Sequence, residues 1–299
     1  MPPAPATPAP AASANTLVQD LVEAGIHFGQ RSASWNPKMA PYIWGKRNGI
    51  HIIDIKETIK GLLLAKKFLA RVVADGKDVC FVGTKRQARA VLEQRVADVK
   101  MHFVVERWLG GTLTNFRTIR SRLRRLDELD AIQQRDNFAS YSKKMESTLK
   151  REQAKIKRNL EGIRHMEKLP GAIVVIDVAK EINALREARK LGIPTVCLID
   201  TDGDPELADI AIPGNDDSMR SIDVIIRELC LAIAEGKQQR VAKAEGDQAA
   251  AAGGAGGPGG AGGDGGPRRS RRAQYRSDEP GQPAPEVEMP STGTPAAKA

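Results

Sequence analysis

The sequence predicts an α/β protein: about five parallel strands with helices on both faces, interrupted by an inserted antiparallel coiled-coil helical hairpin. Three observations carry this reading. The runs DVCFVG (78–83), AIVVID (172–177) and PTVCLID (194–200) are almost continuously apolar, as strands buried on both faces are. Helical periods separate them at βαβ spacing. Between Thr114 and Met166 no strand candidate exists, and apolar residues recur instead at intervals of three and four.

Taken in order, residues 1–15 form an Ala/Pro tract too poor in large apolar side chains to offset the entropy of ordering, and are expected to be a disordered leader. A short helix at 17–24 follows, capped by Thr16 or Asn15 and stopped by Gly25. The run GIHFGQRSASWNPKMAPYIWGKRNGIHIID then holds a long loop, of a length that compact domains reserve for function or partners. Residues 50–54 predict the first strand of the sheet, and 57–74 an amphipathic helix on Ile59, Leu62, Leu63, Phe68 and Leu69. Strands at 78–83 and 102–105 flank a helix at 87–97, completing βαβαβ.

In the inserted segment, Phe116, Ile119, Leu123, Leu126 and Leu129 mark one helix and Met145, Leu149, Ile156, Leu160 and Ile163 the other, with a break at 135–137. The body then resumes with strands at 172–177 and 194–200 around a helix at 180–191, an edge strand at 210–212 and a closing helix at 218–234. The organisation is therefore an α/β body (16–113 and 167–235), a hairpin arm (114–166) and a disordered Gly/Ala-rich tail (236–299). The tail's RRSRR cluster at 268–272 would add weak, salt-sensitive affinity for phosphate.

Lys+Arg (46) exceed Asp+Glu (37), a formal charge of +9 that favours a polyanionic partner. Aromatics at 4% argue against recognition by many stacked bases. Cys80, Cys197 and Cys230 lie far apart in apolar runs, with no CxxC pair, and read as buried thiols in a reducing compartment. No apolar run approaches the roughly 20 residues of a membrane span, and the N-terminus lacks the basic and apolar regions of a signal peptide. The expectation is a cytoplasmic protein with no membrane partner, no cofactor and no homo-oligomeric assembly.

Four constellations could carry function. VGTKRQAR (82–89) brings a strand end, a glycine and the basic Lys85 and Arg86 to a helix start, a phosphate-binding geometry that lacks both GxxxxGK[ST] and GxGxxG. Asp54, Asp177 and Asp200, with Asp202 and Asp204, fall at predicted strand carboxyl ends. They read as helix and turn caps or, alternatively, as a Mg²⁺-dependent phosphotransfer or phosphohydrolase site. No catalytic constellation of histidine, serine or cysteine accompanies them. The arm is densely basic: Arg117, Arg120, Arg122, Arg124 and Arg125 on its first helix, Lys143, Lys144, Lys150 and Arg151 on its second, a flank suited to RNA phosphates. Finally, Trp108 with Gly110 and Gly111 in RWLGGTLTNFRT reads as a packed anchor and bend where the arm leaves the body.

The runs AGIHFGQRSASWNPKMAPYIWGKRNGIHIID, FVGTKR, RWLGGTLTNFRT, LGIPTVCLIDTDGDP and IPGNDDSMRSI, in this order, resemble the bacterial ribosomal protein two family of the small subunit, over about residues 17–235. The resemblance implies a flavodoxin-like sheet carrying a coiled-coil hairpin. It also implies contact of body and arm with small-subunit ribosomal RNA and neighbouring ribosomal proteins. Among these is the largest small-subunit protein, the one that captures messenger RNA. It implies no catalysis. RNA contact is then expected from Arg31, Trp35, Asn36, Lys38, Lys46 and Arg47 in the long loop, from Lys85 and Arg86, and from the arm cations. Gln30 departs from the pattern, since many members carry histidine after HFG.

Overall fold

A computed structural model describes residues 14–136, 138 and 141–253; the leader before Ala14 and the RRSRR cluster lie outside the described residues. The chain builds a five-stranded parallel sheet from β4 (Val79–Val82), β5 (His102–Val104), β6 (Ala172–Ile176), β7 (Thr195–Ile199) and β8 (Ile210–Pro213), in the order β5-β4-β6-β7-β8. That order is flavodoxin-like, with its switch point between β4 and β6.

Alternation along the strands feeds two cores, because successive side chains point to opposite faces. Val79 and Phe81 of β4, Val174 of β6 and Leu198 of β7 face the helices α1 (Ala14–Ala24), α2 (Ile55–Ala74), α3 (Arg86–Asp98) and α7 (Met219–Gly253). Cys80, Val82, Val175 and Cys197 face α6 (Ile182–Leu191) and the root of the arm. All three cysteines are buried.

The residues expected to be loop and first strand form a separate sheet. β1 (Phe28–Arg31), β2 (Ile43–Arg47) and β3 (Ile50–Ile53) pair antiparallel in the order β1-β3-β2, so β3 does not join the parallel sheet. The reason is local. Asn48 (φ 51°) and Gly49 (φ 78°) both adopt left-handed backbone, forming a tight turn that folds β2 onto β3 as a hairpin. Asp54 then caps α2, accepting the Lys56 N–H at 2.9 Å.

The arm is α4 (Phe116–Asp136) and α5 (Lys143–Leu160), closed by a 3-10 turn at Glu161–Ile163. Its proximal half is part of the body: Ile119, Leu123, Leu160 and Ile163 pack on the sheet face beneath them. Among the described residues, only Leu129, Phe138 and Leu149 form a distal core. Met145, expected in the seam, is 51% exposed, while Gln153 is buried there and donates to Asp130 (2.7 Å) and Gln133 (2.5 Å).

A second departure is α7, which continues past Ala234 to Gly253, into the stretch expected to be tail. The Ala-, Gln-, Lys- and Glu-rich sequence favours helix, and Lys237 ties it down by donating to the Val99 carbonyl at 2.6 Å. Among the described residues no helix is long and apolar enough to cross a membrane.

Gly162, in the closing turn, lies so close to β5 that a Cβ would overlap the Phe103 carbonyl oxygen. Gly162→Ala is therefore expected to destabilise the protein by about 1–3 kcal/mol in urea unfolding. Gly45→Ala, with nothing within 4 Å, should unfold like the unsubstituted chain.

Candidate nucleic-acid interface

In this topology ligands enter the crevice at the strand carboxyl ends beside the switch point. Here the chain stitches that crevice with its own side chains. Lys85, following β4, places its ammonium 3.1 Å from Asp177, 2.6 Å from Asp216 and 2.9 Å from Asp217. Beside it Glu181 accepts the Thr84 N–H (3.1 Å) and hydroxyl, and Lys180 donates to the Thr84 carbonyl at 3.1 Å. Gln30, from the small sheet, donates through its amide to Asp200 (3.3 Å) and Asp217 (2.5 Å), and its backbone N–H donates to the Thr201 hydroxyl (2.8 Å).

Asp200, Asp216 and Asp217 hold carboxylate oxygens within 4.8 Å of one another, close enough to share a cation. The cation the chain itself supplies there is Lys85, which pairs with Asp216 and Asp217, while Asp200 accepts from the Gln30 amide and the Thr201 N–H. Burial works against the charge on Lys85, but its aspartates outweigh burial and hold its pKa above the ordinary value. Burial and neighbouring carboxylates raise Asp216 and Asp200, with Lys85 pulling the other way.

Of the expected aspartates, Asp54 and Asp204 are caps, as the cap reading expects, and Asp54, on α2, lies away from the parallel sheet and does not belong to its edge. Asp204 caps a 3-10 turn, accepting the Glu206 N–H at 3.0 Å, and pairs with Lys38. Asp202 stands exposed on the turn after β7. Asp177 and Asp200 do belong to the edge; Asp216 and Asp217 went unrecognised, and Gln30, noted only as a departure from the family pattern, joins them because the fold brings together segments distant in sequence.

The arm root is organised by another residue the sequence reading missed. Glu187, buried on α6, accepts the Trp108 indole N–H (3.1 Å) and the backbone N–H groups of Gly111 (2.8 Å), Leu113 (3.0 Å) and Thr114 (3.2 Å), together with the Thr114 hydroxyl (3.2 Å). Burial opposes its charge, yet these donors prevail and hold its pKa below the ordinary 4.5. Trp108 is buried as anticipated, and Gly111 supplies the bend at φ +89°. Gly110 has open space around its Cβ position and no left-handed backbone. Glu187 shares the buried face of α6 with Ala184 and Ala188, and an acid there was the available signal.

The residues expected to meet RNA fall into two groups. Arg31, Lys46 and Arg47 on the small sheet, Arg86 at the start of α3, and Arg117, Arg122, Arg124, Lys143 and Lys144 on the arm are exposed, and none forms an ion pair among the described residues. The others have partners within the chain. Asn36 caps a 3-10 turn by accepting the Lys38 N–H at 3.0 Å, and Lys38 pairs with Asp204 (2.9 Å) and Glu206 (2.5 Å). Lys85 is turned inward. Arg120 donates to the Glu167 carbonyl at 2.7 Å, and Arg125 pairs with Glu128 at 3.0 Å. Lys150 pairs with Glu146 at 2.7 Å, and Arg151 donates to Ser147. Trp35 is partly exposed, its ring centroid 5.0 Å from that of His51.

Two substitutions separate these roles. Lys85→Met leaves Asp216 and Asp177 buried without their cation and should lower stability by about 3–5 kcal/mol in urea unfolding. The Asp216 carboxyl is raised above its ordinary 3.8, so acidification relieves the unpaired charge: the deficit shrinks as pH falls and grows as pH rises through the folded value. Glu187 has the opposite sign. Its lowered pKa gives stabilisation that is complete above 4.5 and lost as pH falls through the folded value. Glu187→Gln should therefore be less stable at neutral pH, and should lack that part of the acid-induced loss when unfolding is followed between pH 6 and pH 3 (roughly the carboxylate range).

With this geometry established, comparison with known proteins is informative. The chain matches the family Ribosomal protein S2 over residues 21–236, a span holding both the body and the arm. It is 56% identical over 238 residues to the small ribosomal subunit protein uS2 of Rhodopirellula baltica, covering 80% of this chain and 92% of that relative. A match of this extent, through the sheet, the Glu187-bound loop and the arm alike, shows that the chain belongs to the Ribosomal protein S2 family, structural components of the small ribosomal subunit.

Proposed function

We propose that the chain is a non-catalytic, RNA-binding component of the small subunit in the bacterial cytoplasm. It contacts small-subunit ribosomal RNA through its arm and small sheet, and offers its body to neighbouring ribosomal proteins, including the largest, messenger-RNA-capturing one. The observation that carries this reading is the sorting of its cations. Arg31, Lys46 and Arg47 on the small sheet, Arg86 at the start of α3, and Arg117, Arg122, Arg124, Lys143 and Lys144 on the arm are exposed without an acidic partner among the described residues, whereas Lys38, Lys85, Arg125 and Lys150 are committed to carboxylates. A free cation can displace counterions from phosphate without first giving up a carboxylate partner.

The protein-docking part rests on a different feature. Trp44 is 77% exposed and Phe28 48% exposed on the small sheet, an unusual display of large aromatic surface in a chain with few aromatics. Exposed aromatic surface rimmed by polar groups suits a protein partner. The phosphotransfer alternative loses its constellation, since Asp54 and Asp204 serve as caps and Asp177, Asp216 and Asp217 share Lys85.

Sucrose-gradient sedimentation of lysate tests the reading: the chain should travel with the small subunit and be released by rising salt. Arg117→Ala with Arg124→Ala removes two exposed, unpaired arginines two helical turns apart. It should lower occupancy and reduce the slope of log affinity against log salt by about 1–2. A chain that stays at the top of a low-salt gradient, or a slope untouched by the double substitution, would contradict it.

A further inference from the structure

Three of the five leucines exposed among the described residues flank the seam between α2 and α7. Leu63 (47% exposed) and Leu64 (56%) stand on α2, and Leu231 (50%) on α7. The two helices run in the same sense against each other. Lys66 of α2 pairs with Glu228 of α7 at 2.8 Å, and farther along Gly236 lies so near α2 that a Cβ would meet the Ala70 carbonyl oxygen. A groove runs over this close crossing, floored by Ala70, Ala74 and Ala232. From Leu63 to Ala74 it extends about 17 Å, three helical turns.

The walls of the groove differ in charge. α2 carries five cations, Lys56, Lys60, Lys66, Lys67 and Arg71, against one acid, Glu57. Glu57 takes Lys60, and Glu228 takes Lys66. Lys67 and Arg71 line the groove, are exposed, and have no acidic partner among the described residues. They follow Leu63 and Leu64 at three to eight residues, which puts leucines and cations on one side of the helix. On the α7 wall stand Glu235 and Gln239, one and two turns beyond Leu231. A surface face kept only for solubility mixes charges of both signs. This one sets leucines among cations and leaves out acids.

We infer that this groove seats an amphipathic helix of a neighbouring protein, with an apolar stripe toward the alanine floor and carboxylates along the edge that meets Lys67 and Arg71. The inference rests on the reading above that the body is offered to neighbouring ribosomal proteins. It adds a docking surface separate from the exposed aromatics of the small sheet, and the chemistry of the occupant. Small side chains on the floor let a third helix approach to about 8 Å between axes, the close end of helix packing, while the leucines on the two rims close over its apolar stripe. RNA does not suit the site: the alanine floor offers phosphate no donor, and Glu235 on the far wall repels it.

The test uses the full chain assembled into small subunits, with Leu63 or Leu231 replaced in turn by a photo-crosslinking phenylalanine derivative. After irradiation and gradient purification, the adduct from both positions is expected to be protease-sensitive and to map to a segment of another protein with apolar residues at intervals of three and four and acids beside them. Lys67→Glu with Arg71→Glu should lower that adduct, per chain in the subunit, by about tenfold or more, while the equal charge change Arg186→Glu with Lys190→Glu on the exposed side of α6 keeps it within about twofold. Urea unfolding checks that each variant keeps its fold. A ribonuclease-sensitive adduct, an adduct with a second copy of the chain, a protein segment without that pattern, equal losses in the two charge variants, or no adduct in a chain that sediments with the subunit would overturn the groove assignment and leave the ribosomal reading standing. A chain that does not sediment with the subunit would remove both readings together.

Discussion

The carboxylate of Glu187 fixes where the arm leaves the body. A loop that turns a strand end into a long helix exposes several backbone N–H groups at once, and at a buried junction each needs an acceptor. One glutamate on α6 meets three of them, plus an indole and a hydroxyl. Hydrogen bonds to a charged acceptor are worth about 1.5–3 kcal/mol each, so this group can offset the burial that opposes its charge. Because α6 is packed against the sheet through Ala184, Leu185 and Ala188, the direction of α4 is tied to the body rather than left to a flexible hinge.

The same logic closes the crevice. A doubly wound sheet leaves room for a ligand at its switch point, and this chain occupies that room with Lys85, Gln30 and a ring of aspartates. The small antiparallel sheet covers the opening, held by the Asn36 N–H donating to the Thr201 carbonyl at 2.8 Å and the Asn215 N–H to the Ile26 carbonyl at 2.9 Å. A fold often used to bind small molecules in this crevice here fills it with its own side chains.

Much of this was legible in the sequence. The buried strands, the helices between them and the paired arm helices follow from apolar period alone; Trp108 is buried and Gly111 has left-handed backbone. Three things were not legible, each for a physical reason. The Asn48-Gly49 turn outweighed the strand-helix spacing and drew β3 into its own sheet. Lys85 and Arg86 are adjacent and both cationic, and only burial against Asp216 tells the inward cation from the outward one. Met145, expected in the seam, is exposed and Gln153 is buried there, because an apolar period does not register which polar group finds partners, as Gln153 does with Asp130 and Gln133.

That buried glutamine has a mechanical consequence. A sliding of α5 along α4 would strand its amide among leucines, so the hairpin resists slippage and behaves as a ruler; α4, with 21 residues, is about 32 Å long. A rigid ruler joined to a rigid body keeps two surfaces at a set separation. Where both are engaged, holding the first places the second at a high effective concentration, and two modest contacts combine into one durable attachment.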